Sequence, residues 1–224
     1  MSSQSDKTKN VGTLKFFNPF TCMIAGPLQS GKTHLTARLL KSSSWLYSET
    51  PNKVFYFYNR HIPNNEYLKS SGCEFIEGLP TMNWLQTKSE EFGSNLTIVI
   101  DDQALHITFD TAELFTVGCS RFNANIIFLT QNLFLNHKAA RDISKNVMYL
   151  FLMRNNRECV SLRTFFSQQP EDTSVLKQIY SQYCDKPYSY LFVDMHQKTM
   201  SNRKYWTNIF SENGQNPKLF VIEQ

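Results

Sequence analysis

The eight residues from Gly26 to Thr33, Gly-Pro-Leu-Gln-Ser-Gly-Lys-Thr, fill the pattern G-x-x-x-x-G-K-[ST]. Chains of this pattern turn successive backbone N–H groups inward around an anion, because glycine tolerates the backbone angles that such a nest requires. Gly26, Pro27, Leu28, Gln29, Ser30 and Gly31 form the loop, Lys32 reaches the β- and γ-phosphates, and the Thr33 hydroxyl is a ligand for Mg²⁺; His34 follows in the first helical turn. A second chemical signal lies further on, where the apolar run Leu96–Ile100 ends in Asp101-Asp102. A carboxylate at the end of a buried parallel strand stands where open α/β sheets bind ligands. Asp101 is therefore assigned to the metal, and Asp102 to orienting or deprotonating the attacking water. A third is the run Asn125–Gln131, whose polar end, Thr130 and Gln131, faces the γ-phosphate if its strand lies beside that of Asp101. Either aspartate alone also reads as an acidic helix cap.

These residues need strands and helices in a particular order. Cys22–Ala25 is apolar enough for a buried strand and Leu35, Leu39 and Leu40 recur at helical spacing, so the loop runs from a strand into a helix whose dipole favours phosphate. Ser42–Trp45 reads as a break. Strands are predicted at Lys53–Tyr58, Cys73–Ile76, Leu96–Ile100, Asn125–Gln131, Val147–Met153 and Tyr188–Val193, with Phe220–Ile222 as an edge. Helices are predicted at Met82–Glu91, Thr108–Gly118, Lys138–Lys145, Arg157–Phe166 and Glu171–Tyr183. Alternating strands and helices imply an α/β fold with a mostly parallel central sheet covered on both faces. Residues 1–12 are polar and aperiodic and read as a flexible tail, leaving 13–224 as a single domain.

Composition narrows the class. With 41% hydrophobic residues in 224, the chain can bury one large core, and its net charge of +4 permits a nucleic-acid partner without requiring one. The charge is uneven, since Lys138, Arg141, Lys145, Arg154, Arg157 and Arg163 face only Asp142 and Glu158 in the same stretch. That surplus either contacts phosphates or is a solvated helical face. The 5 cysteines include no C-x-x-C pair, and the 5 histidines have no metal spacing, so neither a disulfide framework nor a zinc site is indicated. No signal-peptide pattern and no apolar run of about 18 residues is present, so a soluble intracellular protein without a membrane partner is expected.

Several nucleotide-binding branches lack their signatures here. The GTPase N-K-x-D is missing, because Asn52-Lys53 continues into Val54-Phe55, and the transporter segment L-S-G-G-Q is absent. The strand inserted between the phosphate loop and the aspartates separates the chain from small-molecule kinases. The set AGPLQSGKT, LTIVIDDQ and SRFNANIIFLTQNLF followed by YLFLMRNNRE resembles the viral and transposon DNA-packaging ATPases of the FtsK–HerA superfamily, such as those of poxviruses, virophages and Polinton-like elements. The resemblance covers about Phe20 to Arg157. It implies a P-loop NTPase with core strand order 5-1-4-3-2 and added edge strands, ATP and Mg²⁺ as cofactors, and a homo-oligomeric, hexameric ring around double-stranded DNA. A capsid or portal protein is a further possible partner. It assigns Gln131 as sensor and an arginine finger acting between subunits, matched by Arg121, with Arg154 and Arg157 in reserve; Arg121 also reads as a helix C-terminal cap. The family often has Asp-Glu where this chain has Asp101-Asp102. A chain of this length has no room for a nuclease domain, so packaging of unit-length genomes is expected, with a structural or regulatory nucleotide-binding protein or a replicative helicase as the alternatives.

Overall fold

A computed structural model of the chain describes residues 14–60, 66–134, 138–156, 160–210 and 217–222. The first half runs β1 (Thr21–Ala25), α1 (Lys32–Lys41), α2 (Ser43–Leu46), β2 (Lys53–Tyr58), α3 (Glu66–Lys69), β3 (Glu74–Glu77), α4 (Met82–Phe92) and β4 (Leu96–Asp101). Then α5 (Phe109–Glu113) passes through a π-helical segment, Leu114–Gly118, into α6 (Cys119–Arg121) and on to β5 (Asn125–Thr130). The remainder is α7 (Lys138–Lys145), β6 (Tyr149–Met153), α8 (Val160–Ser167), α9 (Thr173–Tyr183), β7 (Tyr190–Asp194), β8 (Tyr205–Thr207) and β9 (Lys218–Phe220).

All strands join one sheet in the order β3-β2-β4-β5-β1-β6-β7-β8-β9. Its first six members are parallel. Counted as core strands, β6-β1-β5-β4-β2 is the expected 5-1-4-3-2, with β3 added outside β2 and β7–β9 outside β6. The central strands β1, β4, β5 and β6 are apolar almost throughout because both faces are covered, and their side chains sort by the two-residue strand period. Met23, Ile98, Ile100, Phe128 and Leu152 join one core with α4, α5 and α7–α9, while Cys22, Ile24, Val99, Ile127 and Phe151 join the other with α1.

The second core is closed from below by the segment before β1. Phe16, fully buried, stacks on Tyr149 at 4.2 Å and Phe192 at 5.3 Å, and meets Phe20 edge-on at 5.5 Å. The Tyr149 hydroxyl accepts from Phe17 N at 2.9 Å, so the segment is tied by a hydrogen bond as well as by packing.

Several sequence expectations are corrected. Ser43–Leu46 is a helical turn rather than a break, because the Ser42 carbonyl accepts from both Trp45 and Leu46 and Leu46 is buried. The helix predicted to end at Gly118 continues to Arg121 through the π segment. Glu171 lies outside its helix, where Asp172 caps Ser174 N at 2.7 Å and Glu171 accepts from the buried Tyr205 hydroxyl at 2.6 Å. The strand predicted at Tyr188–Val193 begins at Tyr190 and is antiparallel. The α8–α9 pair returns the chain to the edge it left, so Tyr190 pairs with Met153 and β7 runs back along β6. β8 had no sequence expectation, the predicted 220–222 edge lies at Lys218–Phe220, and the short strand at 73–76 is shifted by one residue. The 1–12 tail and Arg157 lie outside the described residues.

Replacing Phe16 with alanine empties the centre of an aromatic stack and is expected to cost about 3–5 kcal/mol of stability. Urea unfolding measures this, and because Phe16 sits at the amino-terminal end of the strands, the folded fraction should bind nucleotide as the parent does.

Candidate active site at the carboxyl edge of the sheet

Parallel register sets the site. Ala25 pairs with Thr130 and with Leu152, and Asp101 pairs with Leu129, so the carboxyl ends of β1, β4, β5 and β6 finish level. The loop Gly26–Gly31 leaves β1 at this edge, and its first residue is held by Gly26 N donating to Thr130 O at 3.1 Å. A side chain at Gly26 would overlap that of Met153, which explains glycine there. Gly31, the residue before α1, has φ +94°, and a Cβ on it would stand 2.9 Å from Tyr188 Cδ1. The first turn of α1 has no side-chain cap and no acidic residue, so its N–H groups and positive dipole end are open to an anion. Ser30 Oγ is buried and has no hydrogen-bond partner.

Lys32 is buried, and its ammonium donates to the carbonyls of Gly26 at 2.8 Å and Pro27 at 3.0 Å. Burial lowers its pKa, and Asp102 and Asp101 oppose that shift. Asp101 accepts from the Tyr56 hydroxyl at 2.7 Å, and Thr33 stands beside the same phenol. Burial raises the Asp101 pKa; Tyr56 counters it, Asp102 reinforces it and Lys32 counters it. Asp102 is exposed, has φ +49°, and accepts from Gln131 Nε2 at 2.8 Å. The structure thus joins Lys32, Thr33, Asp101, Asp102 and Gln131 in one cluster.

Other predicted residues sit elsewhere. Thr130 does not face the cluster: its hydroxyl donates to Asn132 O and accepts from Asn132 N, closing the turn after β5. Leu28 and His34 are exposed. Arg121 ends α6 just before β5, at the opposite edge of the sheet, and the six residues of β5 put about 20 Å between it and its own chain's cluster. Its guanidinium lies over the Phe122 ring at 5.3 Å. Arg154, by contrast, lines a cavity of about 410 Å³ beside the phosphate loop of the same chain. Sequence reasoning missed Tyr56. Nothing local marks it among the aromatics of β2, where Tyr58 is a phenol too; only the pairing of β2 with β4, which sets Tyr56 level with Val99, brings it to Asp101.

The donors fit a hard divalent cation: a hydroxyl and a carboxylate oxygen, both beside one phenol, next to a cradle for phosphates. Among the described residues no group of three or more His, Cys, Asp or Glu is arranged around a common point.

No family model and no curated protein sequence matches the chain. Solved structures do. The genome packaging NTPase B204 of Sulfolobus turreted icosahedral virus 2, in complex with ATP-gammaS, superposes with TM-score 0.56 at 16% identity, over 81% of this chain and 95% of that one. The cytoplasmic domain of the type VII secretion ATPase EccC of Thermomonospora curvata superposes with TM-score 0.52 at 12% identity, over 92% of this chain but 24% of that one. EssC (ATPases 2 and 3) of Geobacillus thermodenitrificans gives 0.51 at 9%, over 91% and 40%. The fold is that of the P-loop NTPases, as the sequence resemblance implies. Among the described residues, no helix is long and apolar enough to cross a membrane.

The raised pKa of Asp101 has a definite sign. The folded chain holds this proton more tightly than the unfolded chain, so the stability linked to it is complete below the ordinary Asp value and is lost as pH rises through the raised one. Asp101→Asn keeps an acceptor for Tyr56 and removes the buried charge. Without metal or nucleotide, the variant is expected to melt higher than the parent at pH 7.5, with the gap closing in acid; equal melting curves at both pH values would refute the assignment.

Proposed function

We propose that this chain is an ATP-hydrolysing DNA translocase that packages a viral or virus-like transposon double-stranded DNA genome into a capsid. The observation that carries the enzymatic part is the convergence of Lys32, Thr33, Asp101, Asp102 and Gln131 on one strand edge, with Gln131 bonded to Asp102 at 2.8 Å. Phosphoryl transfer is accelerated chiefly by positioning and by neutralising charge on the phosphates. The loop N–H groups and Lys32 perform that role for ATP. Thr33 and Asp101 would hold Mg²⁺, which neutralises further charge when bound. Asp102 orients the water, and Gln131, attached to it, reports the γ-phosphate to the water-positioning group through a single hydrogen bond. Support for packaging comes from the sequence resemblance together with the shared fold of a viral genome packaging NTPase.

DNA contact falls to α7. Lys138, Arg141 and Lys145 are all exposed and recur at a spacing that places them along one side of the helix. Arg154, at the phosphate loop, is removed from that surface. Contacts from such a stripe to DNA phosphates release counterions and weaken with salt. A nucleotide-binding accessory role is the second reading, favoured by one observation: Asp102 is shorter than the family's frequent glutamate, and its carboxylate is already engaged by Gln131.

The decisive measurement is ATP turnover by the purified chain with duplex DNA and Mg²⁺. Lys32→Ala is expected to lose it with weakened nucleotide binding, and Asp102→Asn to retain binding while turnover falls by a factor of about 10² or more, the scale of a lost general base. DNA-dependent turnover that survives Lys32→Ala would end the enzymatic reading, and turnover without movement of a roadblock along duplex DNA would leave only an ATPase.

Arg121 lies too far from its own cluster to act there, so in a homo-oligomeric ring it serves the neighbouring site. A finger supplied in this way is worth about 10³–10⁵ in rate. Arg121→Ala is expected to bind ATP and fail to hydrolyse it, and mixing it with Asp102→Asn to restore part of the activity, since some interfaces then pair an intact finger with an intact site. Mixtures with no recovery, or a particle mass that stays monomeric with ATP and DNA, would overturn it.

A further inference from the structure

The phosphate loop divides the carboxyl edge of the sheet into two sides. Asp101, Asp102 and Gln131 stand on the β4–β5 side of β1, whereas the 410 Å³ cavity lies on the β6–β7 side, walled by Pro27, Leu28 and Gln29 of the loop, by Arg154 and Asn155 after β6, and by Tyr188 before β7. A nucleotide whose γ-phosphate points at the carboxylates must carry its other end towards this cavity.

Tyr188 has no structural reason to be a tyrosine. Ser189 N donates to Lys186 O at 3.2 Å, closing a four-residue turn with Pro187 at its second position and Tyr188, at φ +64°, at its third. Proline followed by a positive φ is the pattern of a type II turn, whose third position favours glycine or asparagine, and a bulky side chain there is strained. The ring gains little burial in return, since Tyr188 is 68% exposed. The turn is nevertheless fixed: Arg154 N donates to Ser189 O at 2.9 Å, and the Ser189 hydroxyl donates to Lys186 O at 2.5 Å. Its ring edge lies so close to Gly31 that any side chain at that position would meet it. A strained, exposed aromatic held rigidly against the phosphate loop is a feature kept for a ligand rather than for the fold.

We infer that Tyr188 is the nucleobase platform of this site: its ring stacks on a purine base seated in the cavity between the phosphate loop and the end of β6, and so selects a purine nucleoside triphosphate over a bare polyphosphate or a pyrimidine nucleotide. The inference rests on the phosphate-binding reading of Gly26–Thr33 and adds the part of the ligand which that motif does not recognise. Aromatic stacking of a base is tolerant of ring substituents and scales with overlap, so the selection is by ring size.

The test compares ATP, CTP and inorganic tripolyphosphate binding by calorimetry in the parent, Tyr188→Gly and Tyr188→Phe. Glycine suits the turn, so Tyr188→Gly should melt no lower than the parent, which separates loss of the ring from loss of the fold. Expected is an ATP affinity about ten- to a hundredfold weaker in Tyr188→Gly, the range of one lost base stack, with tripolyphosphate affinity unchanged, the preference for ATP over CTP gone, and Tyr188→Phe like the parent. Equal losses for ATP and tripolyphosphate, or none for ATP, would overturn the base platform while leaving the phosphate site intact; so would a loss of ring assembly alone, which would make the tyrosine a subunit contact. A parent chain that binds neither ATP nor tripolyphosphate would instead overturn the phosphate-site reading beneath it.

Discussion

Everything at the site depends on how closely β1 lies between its neighbours. Gly26 N bonds to Thr130 O on one side while its missing side chain leaves room for Met153 on the other, so the loop can leave the sheet only with glycine at its root. The same strand is paired along its length with β5 and β6. A one-residue slip in either pairing would turn the alternating side chains of β1 to the wrong cores and draw the loop away from Asp101 and Gln131. Catalytic geometry is thus secured by hydrophobic sorting: Met23 and Ala25 face one core, Cys22 and Ile24 the other, and register follows.

Tyr56 shows how that sorting can also place a polar group. It lies on the α1 face of β2, fully buried, and its ring joins the core while its hydroxyl reaches the end of β4. A buried hydroxyl must find a partner. Here the partner is the carboxylate that needs fixing, and Thr33 of α1 stands beside the same phenol. One side chain of β2 therefore braces the acidic strand next to the first turn of the helix, in a sheet where β5 separates β4 from β1. The strand inserted after the phosphate loop provides this brace, which gives the insertion a role beyond widening the sheet.

The sequence made legible what is local and periodic. The loop motif, the apolar strands β1, β4, β5 and β6, and the aspartate pair all announce themselves through composition within a few residues, and their meeting at one edge follows from parallel pairing. What stayed hidden depends on distant partners. Whether β7 runs parallel or antiparallel turns on α8 and α9 packing as a pair, which no local pattern records. Glu171 looks like a helix start until Tyr205 claims its carboxylate from 34 residues away. β8 is three residues long and holds its place through Tyr205 and Trp206, both buried, by pairing on either side. Thr130 and Gln131 carried equal weight as polar residues ending a strand, and only the turn geometry separates them, sending one hydroxyl to Asn132 and one amide to Asp102.

The charged groups of the site are each engaged, while Ser30 Oγ and the first-turn N–H groups of α1 are open, and this bears on how it could work. Lys32 bonds to two loop carbonyls, Asp101 to Tyr56 and Asp102 to Gln131. Hydrogen bonds to charged groups are worth about 1.5–3 kcal/mol each, and leaving a buried charge unpaired costs at least as much. A ligand in this cradle therefore gains by offering the charged groups replacement partners and by meeting the open donors of Ser30 and α1. Phosphate oxygens can take the Lys32 ammonium from carbonyls that are weaker acceptors, which moves the charge towards the ligand without desolvating it anew. Gln131 stands differently, because its amide nitrogen gives one N–H to Asp102 and has a second to offer a phosphate. On the proposed function, Gln131 would thereby link a terminal phosphate to the carboxylate that orients the water, and it lies in the chain segment that leads into α7. On that reading, a change at Gln131 has a short path along the sequence to the basic helix, the coupling that a nucleotide-driven motor on DNA would require.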